Sequence, residues 1–279
     1  MPAVFSESLH RSCPSAADSL GAVFYARSIY FNQLGNGPKA IEYGEYTLEQ
    51  LHQTDTVLAL GKMTYNLGFF HLKEGDLRSA NWYFSEASRL FPLIDHPQSK
   101  RRWLQSMEDL GLTYTRLGDF QRAEETLLTM IREAEAVDNV AKIAHGNLKL
   151  GDLYLQQEAW GAAAGALEVA EAKFAEIDDS FWCNSSRLGL VGVALKRDSL
   201  QQALVAVNSL LRVDEATFFP YDRSRLYSLA TSVSTKLGAY TAAEAYFQEN
   251  LVYAQAAGYL LPQTQAYNNG GELALAAEE

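Results

Sequence analysis

The sequence contains only two cysteines, Cys13 and Cys183, among 279 residues. They stand far apart with no histidine cluster nearby, so their spacing indicates neither a disulfide framework nor a zinc site. Basic residues are also scarce: 23 lysines and arginines face 34 aspartates and glutamates, a formal charge of −11. Such a chain repels nucleic-acid backbones and anionic membrane surfaces. We therefore expect a cytoplasmic protein with no nucleic-acid and no membrane partner.

Long apolar runs and catalytic motifs are missing as well. No window of eighteen apolar residues occurs, and residues 1–20 lack the basic start and apolar stretch of a secretion signal. The sequence has no glycine-rich phosphate loop, no HExxH pair and no GxSxG turn. Its five histidines are dispersed, and acid pairs such as Glu124-Glu125 are typical of a solvated helix surface. We therefore predict no enzyme, no metal and no cofactor.

What the sequence does have is a repeat of small and aromatic residues, returning about every 40 residues. We call the leucine of each Leu-Gly pair, or its equivalent, the mark of that repeat. The marks stand at Arg27, Leu67, Leu110, Leu150, Leu190, Ala230 and Gly270. Each interval carries two stretches of helical apolar spacing, joined by a turn with glycine or aspartate. The pattern predicts an all-α chain with two antiparallel helices per repeat, closely packed at the glycine and alanine positions.

This pattern resembles the tetratricopeptide repeat. The clearest copy reads Leu67, Gly68, Gly75, Ala80, Phe84, Ala87 and Pro92, and weaker copies carry Leu110, Gly111, Tyr114, Gly118 and Ala123, then Leu150, Gly151, Tyr154 and Ala163. Over residues 17–279 the resemblance implies an α-solenoid of about six antiparallel helix pairs plus a terminal helix, wound into a right-handed superhelix. The period exceeds the usual 34 residues and is similar to long-helix versions in kinesin light chains and bacterial signalling proteins.

One domain boundary follows from the sequence. We predict an N-terminal lead or cap over residues 1–14 and a single repeat domain over 15–279, with Ser15 and Asp18 forming a capping box at the first helix. Pro262 is expected to open a last helix that forms only half of a seventh unit. Two interpretations of that helix stay open: a solvating end helix, or the junction to a further part of a longer protein.

The resemblance also implies a ligand-binding groove, because the first helices of such pairs line the concave face. The predicted groove residues are Lys62, Asn66, Phe69, Lys73, Asp109, Leu112, Arg116, His145, Lys149, Asp152, Lys196, Arg225 and Lys236. Cations recur six residues after four marks, where they either meet the carboxylates of an acidic peptide or oppose the helix dipole. Asn66 and Asn269 stand one residue before their marks, an offset where similar long-repeat proteins hold peptide backbone.

The sequence is compatible with two functions. The first is a protein- or peptide-binding scaffold, the sensory or docking module of a bacterial regulatory protein, which holds an extended acidic or amphipathic segment in the concave groove. The second is self-association through the last unit, which would give a homodimer. An enzyme built on a helical-repeat frame has no positive support in the sequence.

Overall fold

The computed structural model describes residues 16–52, 57–256 and 260–278. Within these ranges the chain forms thirteen α-helices, two short 3-10 turns and no strand. The helices are α1 (Ala16–Gln33), α2 (Gly37–Leu51), α3 (Val57–Lys73), α4 (Leu77–Leu90), α5 (Ser99–Leu117), α6 (Phe120–Glu135), α7 (Val140–Gln156), α8 (Trp160–Glu176), α9 (Ser180–Lys196), α10 (Leu200–Leu210), α11 (Pro220–Lys236), α12 (Tyr240–Ala256) and α13 (Leu260–Glu278). The prediction of an all-α helical-repeat fold is confirmed. The predicted capping residue Ser15 lies outside the described residues.

First and second helices alternate along the chain as the repeat predicts. The odd-numbered helices carry the marks, and each is followed by an even-numbered second helix, except that α13 is the last described helix. The connection between α10 and α11 is the longest of the turns within unit 2 and contains the 3-10 turn Glu215–Thr217. No helix in the described ranges is long and apolar enough to cross a membrane.

Short turns end most first helices in one conformation. Gly75 and Gly118 take φ values of +81° and +77°, the left-handed region that glycine enters without steric cost. Where glycine is missing, Glu158 after α7 and Asp198 after α9 take the same region, with φ of 58° and 57°. In several turns the next residue then caps the following helix, as when the Ser79 amide donates to Asp76 Oδ1 at 3.1 Å. The predicted turn residues therefore act as helix ends.

The chain divides into two compact units, residues 1–126 (unit 1) and 127–279 (unit 2), with the division inside α6. Both cores use the predicted small residues for close helix approach. A Cβ added to Gly68 would lie 2.8 Å from the Phe84 ring in unit 1, and one added to Gly151 would lie 2.6 Å from Leu167 Cγ in unit 2. Both large side chains are fully buried. The repeated glycines thus make room for one large residue of the second helix.

Candidate functional site

All thirteen predicted groove residues lie on first helices. Lys62, Asn66, Phe69 and Lys73 lie on α3, Asp109, Leu112 and Arg116 on α5, His145, Lys149 and Asp152 on α7, Lys196 on α9, and Arg225 and Lys236 on α11. Helices α3 and α5 belong to unit 1, and α7, α9 and α11 belong to unit 2. The two groups therefore form two surfaces, each described within its own unit.

The surface of unit 1 exposes a cation beside an aromatic ring. Lys73 is the last residue of α3, and its Nζ donates a hydrogen bond to Asn32 Oδ1 at 2.9 Å. The same Nζ lies 5.9 Å from the ring centroid of Phe69, whose side chain is exposed. Arg116 is exposed in the last turn of α5, whereas Lys62 and Leu112 are half-buried. Both exposed cations stand at helix C-termini, where the dipole also favours them.

Polar residues one position before the marks tie neighbouring first helices together. In unit 1, Asn66 Nδ2 donates to Tyr25 Oη at 3.3 Å, and Tyr65 Oη donates to Asp109 Oδ2 at 2.6 Å. In unit 2, Asn269 Nδ2 donates to the carbonyl oxygen of Ser228 at 3.0 Å. Each acceptor or donor on the neighbouring helix stands two residues before its own mark.

This recurrence gives Asn66 and Asp109 a structural role in addition to any contact with a ligand. Burial, followed by the charge of Asp109, raises the pKa of Tyr65 well above its usual range. The phenol therefore keeps its proton, which it donates to the Asp109 carboxylate.

In unit 2, a buried carboxylate of one first helix is bonded to a serine of another and is influenced by two charged residues of the predicted groove. Asp222, in the first turn of α11, is 3% exposed and is hydrogen-bonded to Ser185 of α9. Arg225 of α11 and Asp152 of α7 both act electrostatically on that carboxylate. Burial raises the pKa of Asp222; the Arg225 guanidinium opposes the shift and the Asp152 carboxylate adds to it. The predicted residues Asp152 and Arg225 thus both influence the ionisation of one buried acid.

The pKa of Asp222 leads to a prediction about stability. Because the folded pKa lies above the unfolded value, the ionised carboxylate costs stability at neutral pH, and this cost disappears as pH falls below the unfolded pKa. Asparagine can keep the bond to Ser185 without the charge. We expect Asp222→Asn to raise the melting temperature at pH 7, with a gain that shrinks as the pH is lowered towards 4. Thermal melts of Glu168→Gln, a neutralised exposed acid on α8, provide the control and should show no such trend.

The remaining predicted residues of unit 2 fall into two environments. Lys196 and Lys236 are exposed and are the last residues of α9 and α11, while Lys149 is half-buried on α7. The His145 ring packs edge-on against Phe174 and Trp182, with centroids 5.0 Å and 4.9 Å away. His145 thus belongs to an aromatic cluster formed with α8 and α9.

Three residues of the unit 2 surface were missed by sequence reasoning: Ser185, Gly192 and Asp222. Gly192 stands two residues after its mark, in the register of Asp152, and a Cβ added to it would meet nothing within 4 Å. It therefore leaves open space on α9. The sequence signal for Gly192 was its position two residues after the mark, the same as that of Asp152. The signal for Asp222 was its position three residues before Arg225, on the same helix face.

No family model and no curated protein matches the sequence. Solved structures do match. A Rap protein complexed with competence and sporulation factor superposes with a TM-score of 0.65 at 14% identity, covering 98% of this chain and 78% of that one. Aspartyl phosphate phosphatase F from Bacillus subtilis gives 0.72 at 12% identity, covering 95% and 73%.

A third match names the repeat. The signal transduction ATPase with numerous domains from Pyrococcus horikoshii, described as having a tetratricopeptide repeat sensor, gives a TM-score of 0.69 at 14% identity, covering 84% of this chain and 36% of that one. The chain has the tetratricopeptide-repeat fold. The resemblance predicted from Leu67 to Pro92 is thereby confirmed at the level of the fold. A ligand or role named for a matching protein is a property of that protein.

Proposed function

We propose that this tetratricopeptide-repeat chain is a scaffold that binds a protein or peptide, holding an extended segment against its first helices. The observation that carries the proposal is the buried carboxylate of Asp222 on α11, which is hydrogen-bonded to Ser185 of α9 and is influenced by the charges of Arg225 and of Asp152 on α7. A carboxylate is costly to bury, and such groups cluster at functional sites. The burial of an acid at position 222 is therefore better explained by a role in binding a ligand than by a contribution to folding stability.

The chemistry of the unit 2 surface suits a main chain. An extended segment presents both N–H donors and C=O acceptors, and the half-buried groups of this surface include the Asp152 carboxylate, the Lys149 ammonium and the Arg225 guanidinium. Gly192 leaves space on α9 for the segment to approach the helix closely. Because Lys149, Lys196, Arg225 and Lys236 outnumber the two aspartates, acidic segments are favoured.

The structural matches support the same class of function. One matching Rap protein was solved in complex with competence and sporulation factor, and the repeats of the Pyrococcus horikoshii protein are described as a sensor. By analogy we propose that this chain is the sensory or docking module of a bacterial regulatory protein, acting in the cytoplasm as a scaffold and not as an enzyme. The analogy is one of fold, so the residues of unit 2 carry the argument.

The test is selection from a displayed library of random linear peptides on the immobilised chain, followed by fluorescence anisotropy with labelled copies of the enriched peptides. We expect enriched peptides to be acidic, and Gly192→Leu to weaken their binding by at least about tenfold, because the new side chain fills the open space on α9. Gly165→Leu on α8 is the matched control: it also replaces a helical glycine with open surroundings.

Both leucine variants should be at least as stable as the parent, since each replaces glycine by a better helix former, worth up to about 1 kcal/mol. Loss of binding in Gly192→Leu therefore cannot come from unfolding. Equal binding by the two variants would contradict a site on the unit 2 surface. The double variant Lys196→Glu, Lys236→Glu should bind acidic peptides more weakly. Unchanged affinity in this double variant would contradict a preference for acidic peptides.

A further inference from the structure

Five aromatic side chains form a continuous cluster beside the unit 2 surface, near the ends at which α9 and α11 begin. The Trp182 ring of α9 lies 4.9 Å from His145 of α7 and 6.1 Å from Phe174 of α8, centroid to centroid. Phe219, the N-cap residue of α11, lies 4.9 Å from Trp182 and 5.1 Å from Phe181 of α9. We call these five side chains the aromatic rim, which joins four successive helices of unit 2.

The aromatic rim adjoins the buried carboxylate of the unit 2 surface. Trp182 stands three residues before Ser185, and Phe219 stands three residues before Asp222, the acid to which Ser185 is bonded. Residues three apart on a helix are neighbours on one face. His145, one of the predicted groove residues, belongs to the rim itself. A segment that crosses α7, α9 and α11 above Asp222 therefore passes within one helical turn of the rim.

The rim is not closed towards solvent at Phe181. Phe174 is fully buried, and Trp182 and Phe219 are half-buried, but Phe181 is 39% exposed. An exposed phenylalanine ring leaves apolar area in water, and covering that area is favourable. Phe181 therefore offers apolar area, next to the charged part of the surface, that a side chain of a ligand can cover.

The chemistry of the rim favours an aromatic side chain over a cation. The ring centroids in contact lie 4.9–6.1 Å apart, within the range of about 4.5–7 Å that aromatic pairs prefer. A further ring beside Phe181 extends the same arrangement. Tryptophan binds cations best, but Trp182 already contacts three other rings. The lysines and the arginine of the unit 2 surface also repel a cation.

We propose that the segment bound on the unit 2 surface places an aromatic side chain against Phe181 of the aromatic rim. This inference rests on the proposed function, because it requires a segment that follows α7, α9 and α11. It narrows the partner to an acidic segment that carries a phenylalanine, tyrosine or tryptophan. The ring supplies apolar burial at the rim, and the charged residues of the surface orient the chain.

The first test measures fluorescence anisotropy with the peptides enriched on the immobilised chain. Phe181→Ala should weaken their binding by about three- to tenfold, because one partner of an aromatic pair is lost. Phe181→Tyr keeps a ring and should bind like the parent. Tyr240→Ala is the matched control, since Tyr240 begins α12 and is 40% exposed. It should also bind like the parent, and circular dichroism melts establish that all three variants fold.

The second test identifies the residue of the peptide that contacts Phe181. Replacing the aromatic residue of the peptide by alanine should weaken binding to the parent chain by a similar factor. The same peptide should lose little further affinity for Phe181→Ala, because the contact is already absent. Coupling of Phe181 to a lysine, an arginine or an aliphatic residue of the peptide, or to no residue, would overturn the proposal.

Gly192→Leu separates this proposal from the proposed function. Weaker binding in Gly192→Leu, together with parent-like binding in Phe181→Ala, would overturn the aromatic contact and leave the peptide-binding function standing. Parent-like binding in both variants, or the absence of any enriched peptide, would overturn both. Weaker binding in Phe181→Ala alone would support the contact at the rim and contradict the course of the segment past Gly192.

Discussion

Replacing Phe84 by alanine is expected to lower the free energy of unfolding by about 3–5 kcal/mol, the usual loss for a fully buried phenylalanine. Phe84 is 0% exposed, and its ring lies against Gly68 and 5.5 Å, centroid to centroid, from Tyr65. Alanine would leave a cavity between α3 and α4 that the helix backbones cannot fill. Denaturant unfolding of the full chain, followed by circular dichroism, measures the change.

Trp82 supplies the control for this prediction. It is an equally aromatic residue of α4, but it is 57% exposed, so Trp82→Ala should cost far less than Phe84→Ala. A second check uses the contact itself. Gly68→Ala alone should destabilise, because its Cβ would lie 2.8 Å from the ring, and Phe84→Leu should relieve part of that loss. Equal costs for Trp82→Ala and Phe84→Ala would contradict the packing described for unit 1.

The pairing of Gly68 with Phe84 explains why the fold could be predicted. Close helix approach needs a small residue on one helix and a large one at a fixed distance along the next, and both requirements are local in sequence. Gly151 with Leu167 repeats the same solution in unit 2. Turn chemistry is local too, although Glu158 shows that a left-handed helix end does not always carry glycine.

Residues of the candidate site could be predicted only where the residue type and its position in the repeat were sufficient evidence. Asp152 and Arg225 carry charges on first helices, so the sequence alone nominates them, and their contact with a ligand stays a prediction. The burial of Asp222 results from the packing of α9 and α11, whose contact at Ser185 joins residues far apart in sequence. In the same way, the bond from Asn66 to Tyr25 spans 41 residues, and the aromatic partners of His145 come from other helices. The position of a residue in the repeat predicts which face of its helix it lies on, whereas its contacts with side chains of other helices depend on how the helices pack.

The second large effect is expected at Arg223 of α11, which is 8% exposed. The guanidinium carbon lies 5.3 Å, 5.4 Å and 5.5 Å from the ring centroids of Phe218, Tyr227 and Tyr253. Its Nη2 approaches Glu215 at 3.7 Å, and its Nε and Nη1 are buried without a hydrogen-bond partner in the described part of the chain. The residue therefore combines favourable contact with aromatic faces and the cost of two unsatisfied donors.

These opposing contributions give two substitutions different outcomes. Arg223→Ala should lower the free energy of unfolding by roughly 2–4 kcal/mol, because it removes the stem that fills the space between three rings. Arg223→Met keeps that volume, adds a sulfur–aromatic contact and removes the unsatisfied donors, so it should lie within about 1 kcal/mol of the parent. Arg212→Ala, at an exposed arginine, is the control. If methionine cost as much as alanine in denaturant unfolding, the attraction of the cation to the rings would outweigh its desolvation, and Arg223 would act through its charge.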